Sequence, residues 1–223
     1  MKNTIMVVAA HADDEALGCG GTMARLTAEG AQIHVVFMAD GVFSRKKSTP
    51  TQLNKRKLAA ERARKILGYQ KCHFLDFPDN QMDQVPLLVI VQKLEALVKK
   101  YQPETIFTHF HGDLNVDHRI TQQAVMTACR PAPGCSVKKI YGFEVPSSTE
   151  WATPGESSFC PAFFVDVSSF LQKKLKALKA YSVEMRETPH ARSLCNVEFL
   201  ARNRGHAMGI KAAEAFVVYR HIQ

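Results

Sequence analysis

The sequence predicts a three-layer α/β fold with a mostly parallel central sheet and an elaborated C-terminal part. Three observations predict it. Short apolar runs rich in β-branched residues alternate with longer segments of helical period. Glycine and proline punctuate the junctions. Acidic and imidazole side chains gather directly after the apolar runs, where open α/β sheets hold their ligands.

Taken in order, the first strand is Ile5–Ala10, followed by a helix over Glu15–Glu29 that ends at Gly30. The second strand, Ile33–Asp40, leads to a helix over Leu53–Leu67 closed by Gly68. After the third strand, Cys72–Phe77, comes the clearest amphipathic helix, Val85–Tyr101, in which Leu87, Ile90, Val91, Leu94, Leu97 and Val98 follow the i, i+3, i+4 rule before Gln102-Pro103 stops it. A fourth strand, Thr105–Phe110, precedes a helix over Asp117–Cys129, and a fifth, Ile140–Val145, sits within the Pro-, Gly- and Ser-rich stretch from Pro131 to Pro161. The C-terminal part reads as a strand at Phe163–Val167, a helix over Ser168–Tyr181, a helix near Phe199–Ala207 and a strand at Ala215–Tyr219. In the first of these helices Lys173, Lys174, Lys176 and Lys179 alternate with Leu171, Leu175 and Leu178, which predicts a lysine-lined solvent face. No repeat or linker interrupts the pattern, so residues 1–223 read as one domain.

Composition narrows the class of protein. With 46% hydrophobic and 22% charged residues in 223, the chain is neither disordered, collagen-like nor a disulfide-stapled miniprotein. Its net charge of +8 favours anionic partners without identifying one. The densest basic cluster, Arg45-Lys46-Lys47, reads as a solvated loop or as a contact for an anionic substrate. No nucleic-acid-binding module is present in the pattern. Six scattered cysteines without a C-x-x-C pair predict reduced thiols and a cytoplasmic protein. The first apolar run is too short for a secretory leader, and no run approaches the ~18 residues of a membrane span. A homo-oligomer is compatible with everything in the sequence.

The strand ends carry the chemistry. The first runs into His11-Ala12-Asp13-Asp14-Glu15, the second into Asp40-Gly41, the third into Pro78-Asp79-Asn80, and the fourth into the segment from His109 through His111, Asp113, Asn115 and Asp117 to His118. His11 and Asp14 are three apart across a strand-to-helix turn, so both side chains can point to one side while Asp13 and Glu15 point elsewhere. A catalytic zinc takes about three protein ligands and keeps an open position. His118 is the best third ligand, with His109 and His111 as rivals. The run Gly18-Cys19-Gly20-Gly21 is not a dinucleotide fingerprint, because the turn itself is His11–Glu15 and position 23 is Met; these glycines predict close packing of helix on sheet. Neither a phosphate loop, a His-Glu-x-x-His pair nor a serine elbow occurs.

At these residues the sequence resembles the de-N-acetylase family that includes the N-acetylglucosaminyl-phosphatidylinositol deacetylases and the LmbE-like bacterial enzymes. The family's Ala-His-Pro-Asp-Asp-Glu signature is matched by Ala10-His11-Ala12-Asp13-Asp14-Glu15, with Ala12 in place of proline. Its second signature is matched by His109, Asp113, Asn115, Asp117 and His118, with smaller echoes at Ala39-Asp40-Gly41, Phe77-Pro78-Asp79 and Ala213-Glu214-Ala215-Phe216. Some members carry a histidine where Asn115 stands, leaving the partner of the developing oxyanion open.

The resemblance implies a Rossmann-like fold and a single LmbE-like deacetylase domain. It further implies hydrolysis of the acetamide of an N-acetylated amino sugar or sugar conjugate by metal-activated water. His11, Asp14 and His118 would hold the ion and Asp13 would be the general base. Zinc is the expected metal, with Fe2+ or another divalent ion compatible with two His and one Asp. Asp13 in a second role, His109 or His111 would protonate the departing amine. Asp113 or Asp117 would orient a metal-bound imidazole, although Asp117 could equally cap its helix. Asp40, Asp79 and Asn115 are candidates for the sugar, and Arg45 and Arg56 for an anionic part of it, Arg56 being the weaker because a helical arginine is often only solvated. Glu15 is explained by the helix dipole alone. Two rival readings use the same residues: a metal-dependent amidohydrolase acting on a thiol conjugate or antibiotic, and a metal-free sugar- or nucleotide-binding module. The stretch Arg130–Pro161, with Trp151, is expected to form a substrate rim.

Overall fold

The computed structural model describes residues 3–44, 48–155 and 157–223. Arg45, Lys46 and Lys47 therefore lie outside the described residues. In chain order the elements are β1 (Thr4–Ala9), α1 (Asp14–Ala28), β2 (Gln32–Ala39), α2 (Pro50–Leu67), β3 (Lys71–Phe77), α3 (Leu87–Tyr101), β4 (Thr105–His109), α4 (Val116–Ala128), β5 (Lys139–Phe143), β6 (Phe163–Asp166), α5 (Leu171–Ala180), α6 (Leu194–His206) and β7 (Ala213–His221). The sheet runs β3-β2-β1-β4-β5-β7-β6. Its first five strands are parallel, and β7 is antiparallel to both β5 and β6.

Period-two alternation along β1 divides the core. Ile5, Val7 and Ala9 face the layer containing α1, α2 and α5, while Met6 and Val8 face that containing α3 and α4. The chain proceeds outward from β1 through β2 to β3, then returns to place β4 on the other side of β1. The carboxyl ends of β1 and β4 thus flank the point where strand order reverses, the place such sheets reserve for ligands.

Helix boundaries follow local chemistry. Helix α2 begins at a capping box between Thr49 and Gln52 with Pro50 behind it, and ends on Gly68 in the left-handed conformation, φ 91°. Helix α6 starts earlier than the periodicity predicts, at Leu194, because the Ser193 side chain accepts the Asn196 N–H and caps it. The glycine run packs as expected: a Cβ on Gly18 would collide with the Phe143 ring, and one on Gly21 would lie 2.8 Å from Val167 Cβ.

The uniformly wet lysine face of α5 is corrected. Lys173, Lys176 and Lys179 are exposed, but Lys174 is buried. Its cause is a break in α1, where Cys19 has φ −144° and ψ 26° and leaves helical geometry. The break frees backbone groups on both sides of it. Glu214 accepts the freed N–H groups of Gly21 at 2.9 Å and Thr22 at 2.6 Å. Lys174 Nζ donates to the Leu17 carbonyl at 2.7 Å and to Glu214 Oε1 at 2.6 Å. A buried ion pair therefore splints the two halves of α1, and the first half carries Asp14 and Glu15.

Candidate active site

The turn between β1 and α1 is built around a strained residue. Asp13 has φ 144°, a region that disfavours any residue with a Cβ. Its carbonyl accepts from Leu17 at 2.9 Å and Ala16 at 3.1 Å, and its N–H donates to Glu15 Oε2 at 3.1 Å. Glu15 Oε1 in turn accepts the Tyr181 hydroxyl at 2.6 Å. Burial pushes the Glu15 carboxyl up to about 8, so more than a helix dipole acts on it.

Asp14 is the hub of the site. Its Oδ2 accepts the His11 N–H at 2.9 Å and lies 3.2 Å from His11 Nδ1 and 3.2 Å from His118 Nε2. Its Oδ1 is buried with no hydrogen-bond partner. The outer nitrogen of each imidazole meets carboxylate: His11 Nε2 lies 3.0 Å from Asp117 and 3.2 Å from Asp79, and His118 Nδ1 lies 3.1 Å from Asp113. His11, Asp14 and His118 are all buried and offer ligand atoms within 4.8 Å of one another, a spacing one divalent ion can bridge. The orphaned Asp14 oxygen and the carboxylate behind each imidazole are what a His/Asp metal centre requires.

Titration behaviour is consistent with such a centre. Burial opposes charge on His118, but Asp14 and Asp113 overcome it and lift the imidazole to about 9. His11 is likewise raised, against burial, by Asp117, Asp14 and Asp79. Burial would raise Asp14, yet His118 and His11 hold it well below the usual carboxylate range.

Asp13, the neighbouring carboxylate, is met by two guanidinium groups. Arg56 Nη2 lies 3.3 Å from its Oδ1, and Arg192 Nη1 lies 3.0 Å from its Oδ2. Burial raises the Asp13 carboxyl while Arg56 and Arg192 pull it down, with a net upward shift. Arg56, a candidate for an anionic part of the substrate, is not the solvated helical charge that made it the weaker one: it is buried, donates to the Ala12 carbonyl at 3.1 Å and to the Gly41 carbonyl, and lies 3.3 Å from Glu184. Those partners turn its guanidinium inward, toward the catalytic turn.

The other expected residues take definite places. His109 is fully buried, stacks on His118 with centroids 3.9 Å apart, and accepts the Ala10 N–H at Nε2, 2.8 Å away. Burial and the neighbouring His118 charge drive its pKa well below the usual value. His111 is exposed, with Nδ1 3.2 Å from the Tyr219 hydroxyl and Nε2 3.0 Å from Ser157 Oγ. Asp79 turns toward His11 and accepts the Ser44 hydroxyl at 2.5 Å, an orienting position where a sugar contact was expected. Asp40 accepts the Val42 and Phe43 N–H groups at 2.8 and 2.9 Å, which folds its own turn. Asn115, also expected at the sugar, is the cap of α4 and accepts the Asp117 N–H at 2.8 Å, leaving Asp117 free to face His11. Asp113 additionally accepts the hydroxyls of Ser148 and, at 2.8 Å, Thr149.

Sequence reading missed Arg192, Ser147 and Glu184. Arg192 Nε donates to Ser147 Oγ at 2.6 Å, tying the loop after β5 to Asp13. Arg192 lies between segments read as helices, and no local periodicity marks it. The helix cap at Ser193 beside it is the one local signal.

Residues 6–129 match the PIG-L family model, described as GlcNAc-PI de-N-acetylase. The uncharacterized deacetylase YaiS of Escherichia coli (strain K12) is 32% identical over 186 residues, covering 81% of this chain and 91% of that protein. The probable N-acetyl-α-D-glucosaminyl L-malate deacetylase 2 of Bacillus cereus is 27% identical over 206 residues, covering 86% and 90%. Among solved structures, the conserved protein TT1542 from Thermus thermophilus superposes with a TM-score of 0.80 at 28% identity, covering 100% of this chain and 97% of that one.

Proposed function

The chain belongs to the PIG-L family of GlcNAc-PI de-N-acetylases, and from that premise we propose that it is a divalent-metal-dependent de-N-acetylase, zinc being the expected ion. Its reaction is hydrolysis of the acetamide on an N-acetylated amino sugar or sugar conjugate. The observation that carries this reading is the convergence of His11, Asp14 and His118, each imidazole backed by a carboxylate. The relative from Bacillus cereus, named as a deacetylase of a glucosaminyl conjugate, supports the substrate class.

In this reading His11, Asp14 and His118 hold the ion, with Asp117 and Asp79 orienting His11 and Asp113 orienting His118. When bound, the ion supplies Lewis acidity to the acetamide carbonyl and acidifies water in the site. Asp13 takes a proton from the attacking water, whose oxygen bonds to the acetamide carbon. Arg56 and Arg192 fix the plane of that carboxylate, and each oxygen retains a lone pair for the proton. As the carbon–nitrogen bond breaks, Asp13 returns the proton to the amine nitrogen and acetate departs. His111 is the alternative donor in that last step. All six cysteines are free, in keeping with cytoplasmic placement, and residues 1–223 act as one catalytic domain.

Elemental analysis of the purified protein, paired with acetate release from N-acetylglucosamine derivatives with and without chelator, tests the reading. About one zinc or iron per chain with chelator-sensitive release is the expected result. Absence of bound metal under metal-replete conditions refutes it.

A further inference from the structure

A cleft of about 600 Å³ opens between the loop after β5 and the segment leading into α6. That volume is of the size that holds small organic ligands and exceeds what an acetamide group needs. Pro146 and Ala191 line it, and their neighbours Ser147 and Arg192 are bonded to each other, with Arg192 on Asp13.

The lining has a definite chemistry. Trp151 is 52% exposed and Phe199 64% exposed, so two exposed aromatic residues line the cleft. The Trp151 ring is held edge-to-face against His190 at 5.7 Å, which fixes its orientation. Asn196 and Asn203 add amide groups. Among the described residues no lysine or arginine lines the cleft. Its two carboxylates are already engaged: Glu144 with Arg204 at 2.8 Å, and Glu150 with the Ser147 and Ser148 N–H groups at 2.6 and 3.3 Å. Arg192 and Arg204, each next in sequence to a lining residue, are engaged as well, Arg192 with Asp13 and Arg204 with Glu144. Aromatic side chains and amides, with the neighbouring charges already engaged, suit an uncharged ring better than a phosphate or carboxylate.

We propose that this cleft is a subsite for an uncharged ring, a second pyranose or an aryl group, attached to the N-acetylated sugar, with Trp151 as its stacking platform. The proposal deepens the deacetylase reading and rests on it for the identity of the sugar in the adjoining site.

Trp151 is the single tryptophan of the chain, so its fluorescence reports the cleft alone. The metal-loaded protein is mixed rapidly with N,N′-diacetylchitobiose or with N-acetylglucosamine 1-phosphate, and emission is read before turnover. A saturable change with the disaccharide, at least tenfold weaker with the phosphate, is expected. In steady state, Trp151→Ala and Phe199→Ala should each lower the ratio of kcat/KM for the disaccharide over N-acetylglucosamine by about tenfold, chiefly through KM. An unchanged ratio in both variants, or equal or tighter binding of the phosphate, overturns the subsite. The two readings fail separately. A fluorescence change without acetate release from any substrate refutes the deacetylase reading and leaves the cleft as a glycoside site. Acetate release with no fluorescence change and an unaltered ratio refutes the cleft alone.

Discussion

Glu214→Ala is expected to be among the most destabilising single substitutions in this chain, although Glu214 touches none of the candidate metal ligands. The side chains of Lys174 and Glu214 are 5% and 3% exposed and 2.6 Å apart. Removing one member of a buried pair costs about 3–5 kcal/mol, because the survivor is left charged and desolvated. Here the alanine also orphans the Gly21 and Thr22 N–H groups at the break in α1, adding about 1 kcal/mol. A total of about 5 kcal/mol is a large share of the roughly 5–15 kcal/mol a domain commonly possesses. At about 2–4 °C per kcal/mol for a chain of this size, Tm should fall by about 10–20 °C. Lys174→Met should cost less, about 3 kcal/mol, since Glu214 keeps both backbone donors. The double variant Lys174→Met/Glu214→Gln removes both charges and leaves an acceptor for one N–H, so it should cost less than either single change. Urea unfolding of the four proteins closes this cycle. A Glu214→Ala cost below about 1 kcal/mol, or additive single costs, would refute the splint.

Three further outcomes follow from the site and its surroundings. Asp13→Asn should retain stoichiometric metal while kcat falls by about 10²–10⁴, whereas His118→Ala should lose metal and turnover together; elemental analysis beside an acetate assay separates the two. Metal at a hundredfold excess over its Kd should stabilise the protein by about 2.7 kcal/mol, a rise of roughly 5–10 °C in Tm, and an unchanged melting curve on adding zinc to chelated protein would count against the site. His73 is driven down to about 4 by burial and by the charges of His34, Lys71 and Lys100. Between pH 6.5 and 4 the unfolded chain therefore binds the proton that the folded ring resists. Its contribution to stability is complete above 6.5 and is lost on acidification, by about 1 kcal/mol once solvent screening of this half-buried ring is allowed for. His73→Gln should flatten that slope in urea titrations at about pH 7 and pH 5.

The parallel sheet was legible because burial on both faces leaves near-continuous apolar strands, and because turn residues punctuate each junction. The ligand cluster was legible for a related reason: strand ends in such a sheet share one edge, so residues about a hundred positions apart in sequence can be brought together by topology alone. What local reading could not supply were partners set by tertiary burial. Lys174 sits among lysines at helical spacing, and only the break at Cys19 gives it a buried task. Arg192 reaches Asp13 across 179 positions. Asp117 and Asn115 could be assigned either way from sequence, and the structure gives the cap to Asn115 and the histidine to Asp117.

In the proposed mechanism the adjacent carboxylates Asp13 and Asp14 divide two tasks within one turn. Both are buried, so desolvation opposes charge on each. Asp14 is surrounded by imidazoles, which stabilise its charge and converge on the same point that it does; it is suited to sharing a cation. Asp13 is met by two guanidinium groups, which cannot surrender a proton at physiological pH. They fix its orientation without competing for the proton that a base must take and release. The positive φ of Asp13 falls at the residue that precedes α1, whose carboxylate meets Arg56 and Arg192. Strain of about 1–3 kcal/mol at such a residue persists only where the surroundings over-determine it. Here they do so through two amides on its carbonyl, Glu15 on its N–H and an arginine on each carboxylate oxygen.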